Sequence, residues 1–263
     1  MKIKVESTSN SIYKLLKRLQ TRNGREKSGC FFAEGLRSVK DLVKNGADIN
    51  SIVVCEGTSL DENFDKFKVY EFSKTLFDEL KMTVNSQGVI AIVNYSPKDA
   101  SEINTDEKQT IVYLDSVQDP GNMGTIIRSC ASLGADALIL SKGCVDIYNP
   151  KVVRSAMASI PNADIYFDSD SEKTLTHLAS KGFKITGTFP KNAVPCFSAD
   201  FSDKTVIVMG NKANGISEKT ESLCTDRITI PMSEKSESLN VATALTVVLY
   251  EIMRTKMINR GDT

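Results

Sequence analysis

The chain has one histidine, no paired cysteines, no net charge and no apolar run of membrane length. Each lack removes a class of function. His177 is the sole histidine and falls on a polar stretch beside Glu172, Lys173 and Thr176, so it reads as a surface residue. Histidine acid–base catalysis and serine–histidine nucleophiles are set aside. The six cysteines (Cys30, Cys55, Cys130, Cys144, Cys196, Cys224) are scattered, with no C-x-x-C pair and no Cys/His cluster. Neither a zinc site nor a disulfide framework is indicated, and most of these cysteines read as small buried hydrophobes. Lys plus Arg equals Asp plus Glu at 33 each, so global charge names no polyanionic partner and counts mildly against nucleic acid. Nothing reads as a signal peptide or a membrane span. The expectation is a soluble, cytoplasmic protein with neither metal nor membrane partner.

At 263 residues and 41% hydrophobic, the chain can bury one large core or two ordinary ones. The first 27 residues carry Lys2, Lys4, Lys14, Lys17, Arg18, Arg22, Arg25 and Lys27 against Glu6 and Glu26. Such a stretch is more often a solvated face than an RNA-binding arm. Apolar spacing at Ile12, Leu15, Leu16 and Leu19 predicts a helix, and the charged residues after it read as a loop. A strand at 30–33, a helix at 36–44 stopped by Asn45-Gly46, and strands at 51–55, 68–72 and 88–93 complete an α/β unit. The polar, proline-bearing stretch 97–109 reads as a linker.

Beyond it, strands at 110–114, 137–140, 165–167, 183–188, 205–209 and 228–230 alternate with helices at 122–133, 151–159, 172–180, 217–224 and 239 to about 257. This alternation predicts an α/β domain with a mostly parallel sheet covered on both faces. The predicted domains are 1–96, a 97–109 linker and 110–263.

Three loops follow strands in that second half. D115-S-V-Q-D-P-G-N-M-G-T-I-I-R-S leads from a strand into a helix N-terminus, a geometry that cradles anions. Asp115 and Asp119 read as turn formers. Arg128 lies in an otherwise apolar helix, where an unpaired buried cation would be costly, so it is expected to face the sheet end. G210-N-K-A-N-G215 has two glycines and two asparagines that permit positive φ. I230-P-M-S-E-K-S-E-S-L-N enters a long apolar helix, with Ser238 the candidate N-cap and Asn240 beside it. The plain alternative for each loop is an ordinary strand-to-helix turn. The dinucleotide fingerprint G-x-G-x-x-G is absent, which weakens a nucleotide-dependent oxidoreductase reading.

Together the loops resemble the motifs of the SpoU (TrmH-like) RNA ribose methyltransferases of the SPOUT superfamily: D-x-V-x-D-P-x-N-x-G-x-I-x-R-S, G-N-x-x-N-G-I-S and I-P-M-x-x-x-x-E-S-L-N-V-A, over roughly residues 110–254. Y-N-P-K-V-V-R-S-A-M at 148–157 resembles the family's connecting segment. K-L-L-K-R-L and F-F-A-E-G-L, at Lys14 and Phe31, are similar to the L30e-like substrate-binding domain that many members carry. The resemblance implies a trefoil-knotted α/β domain, S-adenosylmethionine as methyl donor, a homodimer and RNA as substrate, ribosomal RNA more than tRNA. It implies donor contacts from Thr188, Met209, Gly210, Ile230, Met232 and Leu239. It implies a reaction centre of Asn122, Arg128, Ser238 and Asn240, and RNA contacts from Arg22, Arg25, Glu34 and Arg37.

A guanidinium holds its proton above about pH 12, so Arg128 is expected to orient phosphate and hydroxyl instead of acting as a free base; near-full activity in Arg128→Lys would refute this. Lys212 and Glu234 depart from the family's usual Glu and Gly. The competing readings are a tRNA 2′-O-methyltransferase and a catalytically impaired RNA-binding relative.

Overall fold

The computed structural model describes residues 2–83, 86–107, 109–201, 203–233 and 238–260. Glu234 lies outside them. The chain divides into two compact units, Met1–Ser96 with Asp146–Pro161, and Pro97–Val145 with Asn162–Thr263.

In the first unit, β1 (Lys2–Val5) and β2 (Cys30–Glu34) are the edges of a five-stranded sheet. Between them lie β3 (Ile49–Cys55), β4 (Val69–Phe72) and β5 (Val89–Asn94), in the order β1-β4-β3-β5-β2. β1 and β3 run parallel to β4, while β5 runs antiparallel to both β2 and β3. Helices α1 (Ser11–Leu19), α2 (Arg22–Ser28), α3 (Leu36–Lys44) and α4 (Lys74–Asp78) connect them. Leu16 and Leu19 of α1 are buried with Phe32, Val53, Phe72, Ile90 and Ile92.

One element goes unread in the sequence and a second departs from its reading. Lys2–Val5 is a strand despite its two lysines, because parallel pairing with β4 satisfies its backbone. The charged residues read as a loop form α2. Thr21 caps it by accepting from the Gly24 N–H, and Gly29 ends it at φ 60°. A Cβ on Gly24 would lie 1.9 Å from the Arg18 carbonyl oxygen, so only glycine lets α2 pack against α1.

The 146–161 segment, expected inside the 110–263 domain, packs in this first unit. Ile147 and Val152 are fully buried, and the Tyr148 ring stacks on Tyr95 at 3.7 Å and on Phe31 at 5.1 Å. This burial of apolar surface decides the segment's allegiance. Its helix α6 (Pro150–Ser155) stops four residues short of the expected end, where Met157 and Ala158 turn to φ 47° and 62°.

The second unit holds an eight-stranded sheet of β6 (Lys98–Asp99), β7 (Gln109–Leu114), β8 (Ala137–Leu140), β9 (Ile165–Phe167), β10 (Lys184–Thr188), β11 (Val194–Pro195), β12 (Lys204–Met209) and β13 (Asp226–Thr229). Their order is β11-β13-β10-β12-β7-β8-β9-β6, and every pairing is parallel. The near-continuous burial of β7, β8 and β12, apolar but for the first residues of β7 and β12, is what a parallel sheet covered on both faces requires. The stretch read as a linker contributes β6, and Ala100 and Ile103 join the core. Two apolar side chains in a polar run suffice to seat it on the sheet edge. Helices α5 (Pro120–Leu133), α7 (Ser171–Ser180), α8 (Glu218–Glu221) and α9 (Val241–Arg260) complete the unit. His177 is exposed on α7. Among the described residues, no helix is long and apolar enough to cross a membrane.

Candidate active site

Because β13, β10, β12 and β7 are parallel neighbours, the loops after them emerge at one edge of the sheet, where open α/β folds bind ligands. Short side chains tie those loops together. Asp115, buried at the end of β7, accepts from the backbone N–H and hydroxyl of Ser217 at 2.9 and 2.7 Å. Ser116 sits at φ 60°. Its N–H donates to Ser141 Oγ at 3.0 Å, and its carbonyl accepts from Asn211 Nδ2 at 2.8 Å. A non-glycine residue in the left-handed region is held there by its surroundings.

Asp119 is more than a turn former, since its carboxylate caps α5 by accepting from the Asn122 N–H at 2.7 Å. In the second loop, Asn211 and Gly215 exchange backbone hydrogen bonds of 2.8 Å, closing a tight turn. A Cβ on Gly210 would lie 2.1 Å from the Gly215 carbonyl carbon, so the turn admits only glycine there.

The third loop corrects the capping assignment. Asn240, not Ser238, caps α9, with Oδ1 accepting from Ala242 N–H at 2.9 Å. Its Nδ2 donates to Asn122 Oδ1 at 2.8 Å, and Ser129 and Thr246 hydroxyls meet at 2.7 Å one to two turns further on. Helices α5 and α9 therefore lie side by side and parallel, with both N-terminal ends at the same place. Ser238 stayed attractive as a cap because it is the hydroxyl residue nearest the apolar run. The amide can cap and cross-link at once, which a hydroxyl cannot do as well.

Two cavities adjoin at this edge. The larger, about 470 Å³, is lined by Thr188, Met209, Gly210, Ile230, Met232 and Leu239, and also by Ser238. The smaller, about 340 Å³, is polar, with Gln118, Asp119, Asn122, Asn211 and Asn240 around it. Asn211, Lys212 and Val241 line both. Lys212 is exposed and its side chain makes no hydrogen bond or ion pair with a described residue.

Sequence reasoning missed Phe189, whose ring lines the larger cavity and carries the Arg227 guanidinium at 3.5 Å, itself paired with Glu221 at 2.6 Å. The signal was the aromatic directly after a strand end. It also missed that Arg128 is exposed and lines neither cavity. The apolar residues around it, Ile126, Ile127 and Cys130, face the core while Arg128 faces out, so no buried cation has to be accommodated. Burial pushes the Cys130 thiol up to about 12 and the Cys224 thiol to about 11, which leaves both protonated and inert at neutral pH.

The sequence profile of the SpoU rRNA methylase family matches residues 109–250. The chain belongs to that family. An MRM3-like substrate-binding domain matches residues 10–91. The 23S rRNA (guanosine(2553)-2′-O)-methyltransferase RlmP of Bacillus subtilis is 30% identical over 94% of this chain and 98% of its own length. The 23S rRNA (uridine(2479)-2′-O)-methyltransferase of Streptomyces viridochromogenes is 28% identical over 93% and 90%. Among solved structures, the SpoU methyltransferase AviRb from Streptomyces viridochromogenes in complex with AdoMet superposes with a TM-score of 0.83 at 26% identity, covering 94% of this chain and 98% of that one. The AdoMet-bound rRNA methyltransferase from Sinorhizobium meliloti gives 0.84 at 27%, covering 96% and 97%. The structural likeness therefore spans both units, and the strand-end edge described above lies within residues 109–250 matched by the methylase family.

The RNA-contact candidates fare unevenly. Arg25 is buried, its guanidinium bonded to Asp146 at 2.6 and 3.0 Å and to the Leu19 carbonyl at 2.7 Å. It holds the first unit together and is not presented to a polyanion. Glu34 accepts from the Met82 N–H at 2.7 Å and the Thr83 hydroxyl at 2.5 Å, so both oxygens are engaged. Arg22 is exposed and paired with Glu26, and Arg37 is exposed. No group of three or more His, Cys, Asp or Glu among the described residues could hold a metal ion.

Proposed function

We propose that the chain is a cytoplasmic enzyme that methylates a ribose 2′-hydroxyl of ribosomal RNA, with S-adenosylmethionine as donor. The observation that carries this reading is the pair of adjoining cavities at one sheet edge, one largely apolar and one polar, sharing Asn211, Lys212 and Val241 as their boundary. The larger cavity lies within the roughly 300–1,000 Å³ of small-molecule sites. Its apolar wall of Met209, Ile230 and Leu239 with the Phe189 ring suits a flat purine, and strand-end backbone offers hydrogen bonds for its edges.

When bound, S-adenosylmethionine supplies an electrophilic methyl group on a positively charged sulfur. The chain's residues do the rest. The Asn122–Asn240 bond holds the first turns of α5 and α9 together, so the positive ends of two helices meet the polar cavity. A phosphate flanking the target ribose is held there by the exposed Lys212 ammonium. Fixing oxygen, methyl carbon and sulfur in line supplies about 7–11 kcal/mol of barrier lowering. With the donor bound, the ribose oxygen would take its methyl group, the carbon–sulfur pair would stay on sulfur, and the hydroxyl proton would leave to solvent.

Arg128 acts in a second copy of the chain. In a homodimer the exposed Val247 and Tyr250 of α9, 38% and 55% accessible, would be covered beside α5, and Arg128 would approach the partner's reaction centre. A strictly monomeric sedimentation profile would contradict this.

The decisive measurement is methyl transfer from labelled donor to deproteinised 23S rRNA and to tRNA, with alkali-stable dinucleotides as the signature of ribose methylation. Label in 23S rRNA supports the proposal, and label only in tRNA replaces its substrate. RNA binding without calorimetric heat at millimolar S-adenosylmethionine would instead make this an RNA-binding relative.

A further inference from the structure

The first unit contains a cavity that methyl transfer does not use. It measures about 140 Å³, below the size of a site for a drug-sized ligand and of the order of one planar ring. Its floor is apolar, made by Phe32 of β2, Leu42 of α3 and Val153 of α6, all buried. Its rim is polar and cationic. Lys151 and Arg154 are exposed, stand three residues apart on one face of α6, and their side chains make no hydrogen bond or ion pair with a described residue. The Ser38 hydroxyl is likewise uncommitted.

The cavity is also built with care. Glu34 spends both carboxylate oxygens on Met82 and Thr83, fixing one side of the rim. On the other side Ala158 stays in the left-handed region, its carbonyl held by Asn45 Nδ2 at 2.9 Å. Backbone held so unfavourably persists where the surroundings impose it, and such positions concentrate at ligand sites.

We propose that this cavity receives one unstacked nucleobase of the RNA substrate, with neighbouring phosphates on Lys151 and Arg154. The inference rests on the RNA methyltransferase reading. Sequence-specific RNA recognition targets bases splayed out of helices. A flipped base is held by apolar contact on its faces and hydrogen bonds at its edge. Phe32, Leu42 and Val153 supply the first, the Ser38 hydroxyl the second, and the two cations the electrostatic anchor. Glu34 then shapes the pocket without reading the base. Because α6 falls within the methylase family's matched residues while β2 and α3 fall within the substrate-binding domain's, the site is composite in sequence although it lies in one compact unit.

The test uses the full chain and 23S rRNA transcripts carrying 4-thiouridine, cross-linked at long wavelength and mapped by peptide mass spectrometry. Cross-links within residues 31–42 or 151–159 are expected; cross-links confined to the second unit would overturn the proposal. Lys151→Ala with Arg154→Ala should raise the RNA KM about tenfold. It should also flatten the slope of log affinity against log salt by about 1.4, two single-strand phosphates' worth, with S-adenosylmethionine affinity unchanged. An unchanged KM and slope would refute the site. Ser38→Trp, which fills the cavity, should raise KM without altering the slope, provided thermal melting shows it folded. If the wild-type chain transfers no methyl group yet cross-links at the cavity, the enzymatic reading falls and this one stands.

Discussion

The strand-end loops of the second unit and the cationic surface of the first meet the demands of recognition with opposite materials. The loops are tied together by short side chains, each already committed: Asp115 to Ser217, Asn211 to Ser116, Asn240 to Asn122. The first unit relies on long cations whose roles diverge, with Arg25 buried, Arg22 paired on the surface, and Lys151 and Arg154 uncommitted. Precision within half an ångström is needed where a bond forms, and short side chains on rigid strand ends deliver it. A polyanion's grip tolerates flexible cations, which lose little by swinging between phosphates.

The sharpest way to break the comparison is to show that a cation can be as structural as any loop residue. Arg25→Ala leaves the half-buried Asp146 carboxylate and the Leu19 carbonyl without their partner, at a cost of about 3 kcal/mol, the lower end for breaking a buried pair. Chemical denaturation should show that loss, while S-adenosylmethionine affinity in the folded fraction stays at the wild-type value. A loss under about 1 kcal/mol would mean the pair is not closed in solution.

Gly210→Ala probes the other side. Its Cβ would meet Gly215 backbone at 2.1–2.3 Å, so the turn must open, costing about 1–3 kcal/mol as overpacking and reducing donor affinity. Gly215→Ala is the control. At φ 67° it is strained, but its Cβ would meet nothing within 4 Å, so calorimetry should find donor binding far less affected. Equal losses from the two variants would show that strain, not the steric closure at Gly210, shapes the turn.

Asn240→Ala should lower stability by about 1 kcal/mol through the lost cap. It should lower kcat about 100-fold through the freed ends of α5 and α9, the scale of one preorganised group, with donor affinity preserved. Full kcat would remove Asn240 from the reaction centre.

Much of the second unit was legible because its signals are local. Apolar runs such as T-V-I-V-M and A-L-I-L announce buried strands, and the three loop motifs are contiguous. All six residues expected at the donor line one cavity, since strand ends and the helix entry carry them there together. What escaped depended on distant partners. Asp146, which makes Arg25 structural, lies 121 residues away. The burial of Ile147 and Tyr148 in the first unit reversed the allegiance of α6, and only the pairing with β4 makes a strand of Lys2–Val5. Arg128 falls off the apolar stripe of Met123, Ile126, Ile127 and Cys130, so α5 carries it on the exposed side.

Arg22 offers the smallest effect and the finest discrimination, because it lies three residues from Arg25 and looks the same in sequence. Its guanidinium meets Glu26 at 2.8 Å across one helical turn, with side chains 67% and 57% accessible. Such a pair contributes about 0.2–0.5 kcal/mol, so Arg22→Ala should scarcely move the denaturation midpoint. If Arg22 touches RNA, the same substitution should reduce the salt slope of binding by about 0.7, one phosphate's worth. Arg25→Ala should do the reverse, moving stability strongly and leaving the slope alone. An Arg22→Ala protein with an unchanged slope would leave α6, and not α2, as the cationic face that meets the nucleic acid. It would also make the basic N-terminal stretch what composition alone suggested, a solvated surface.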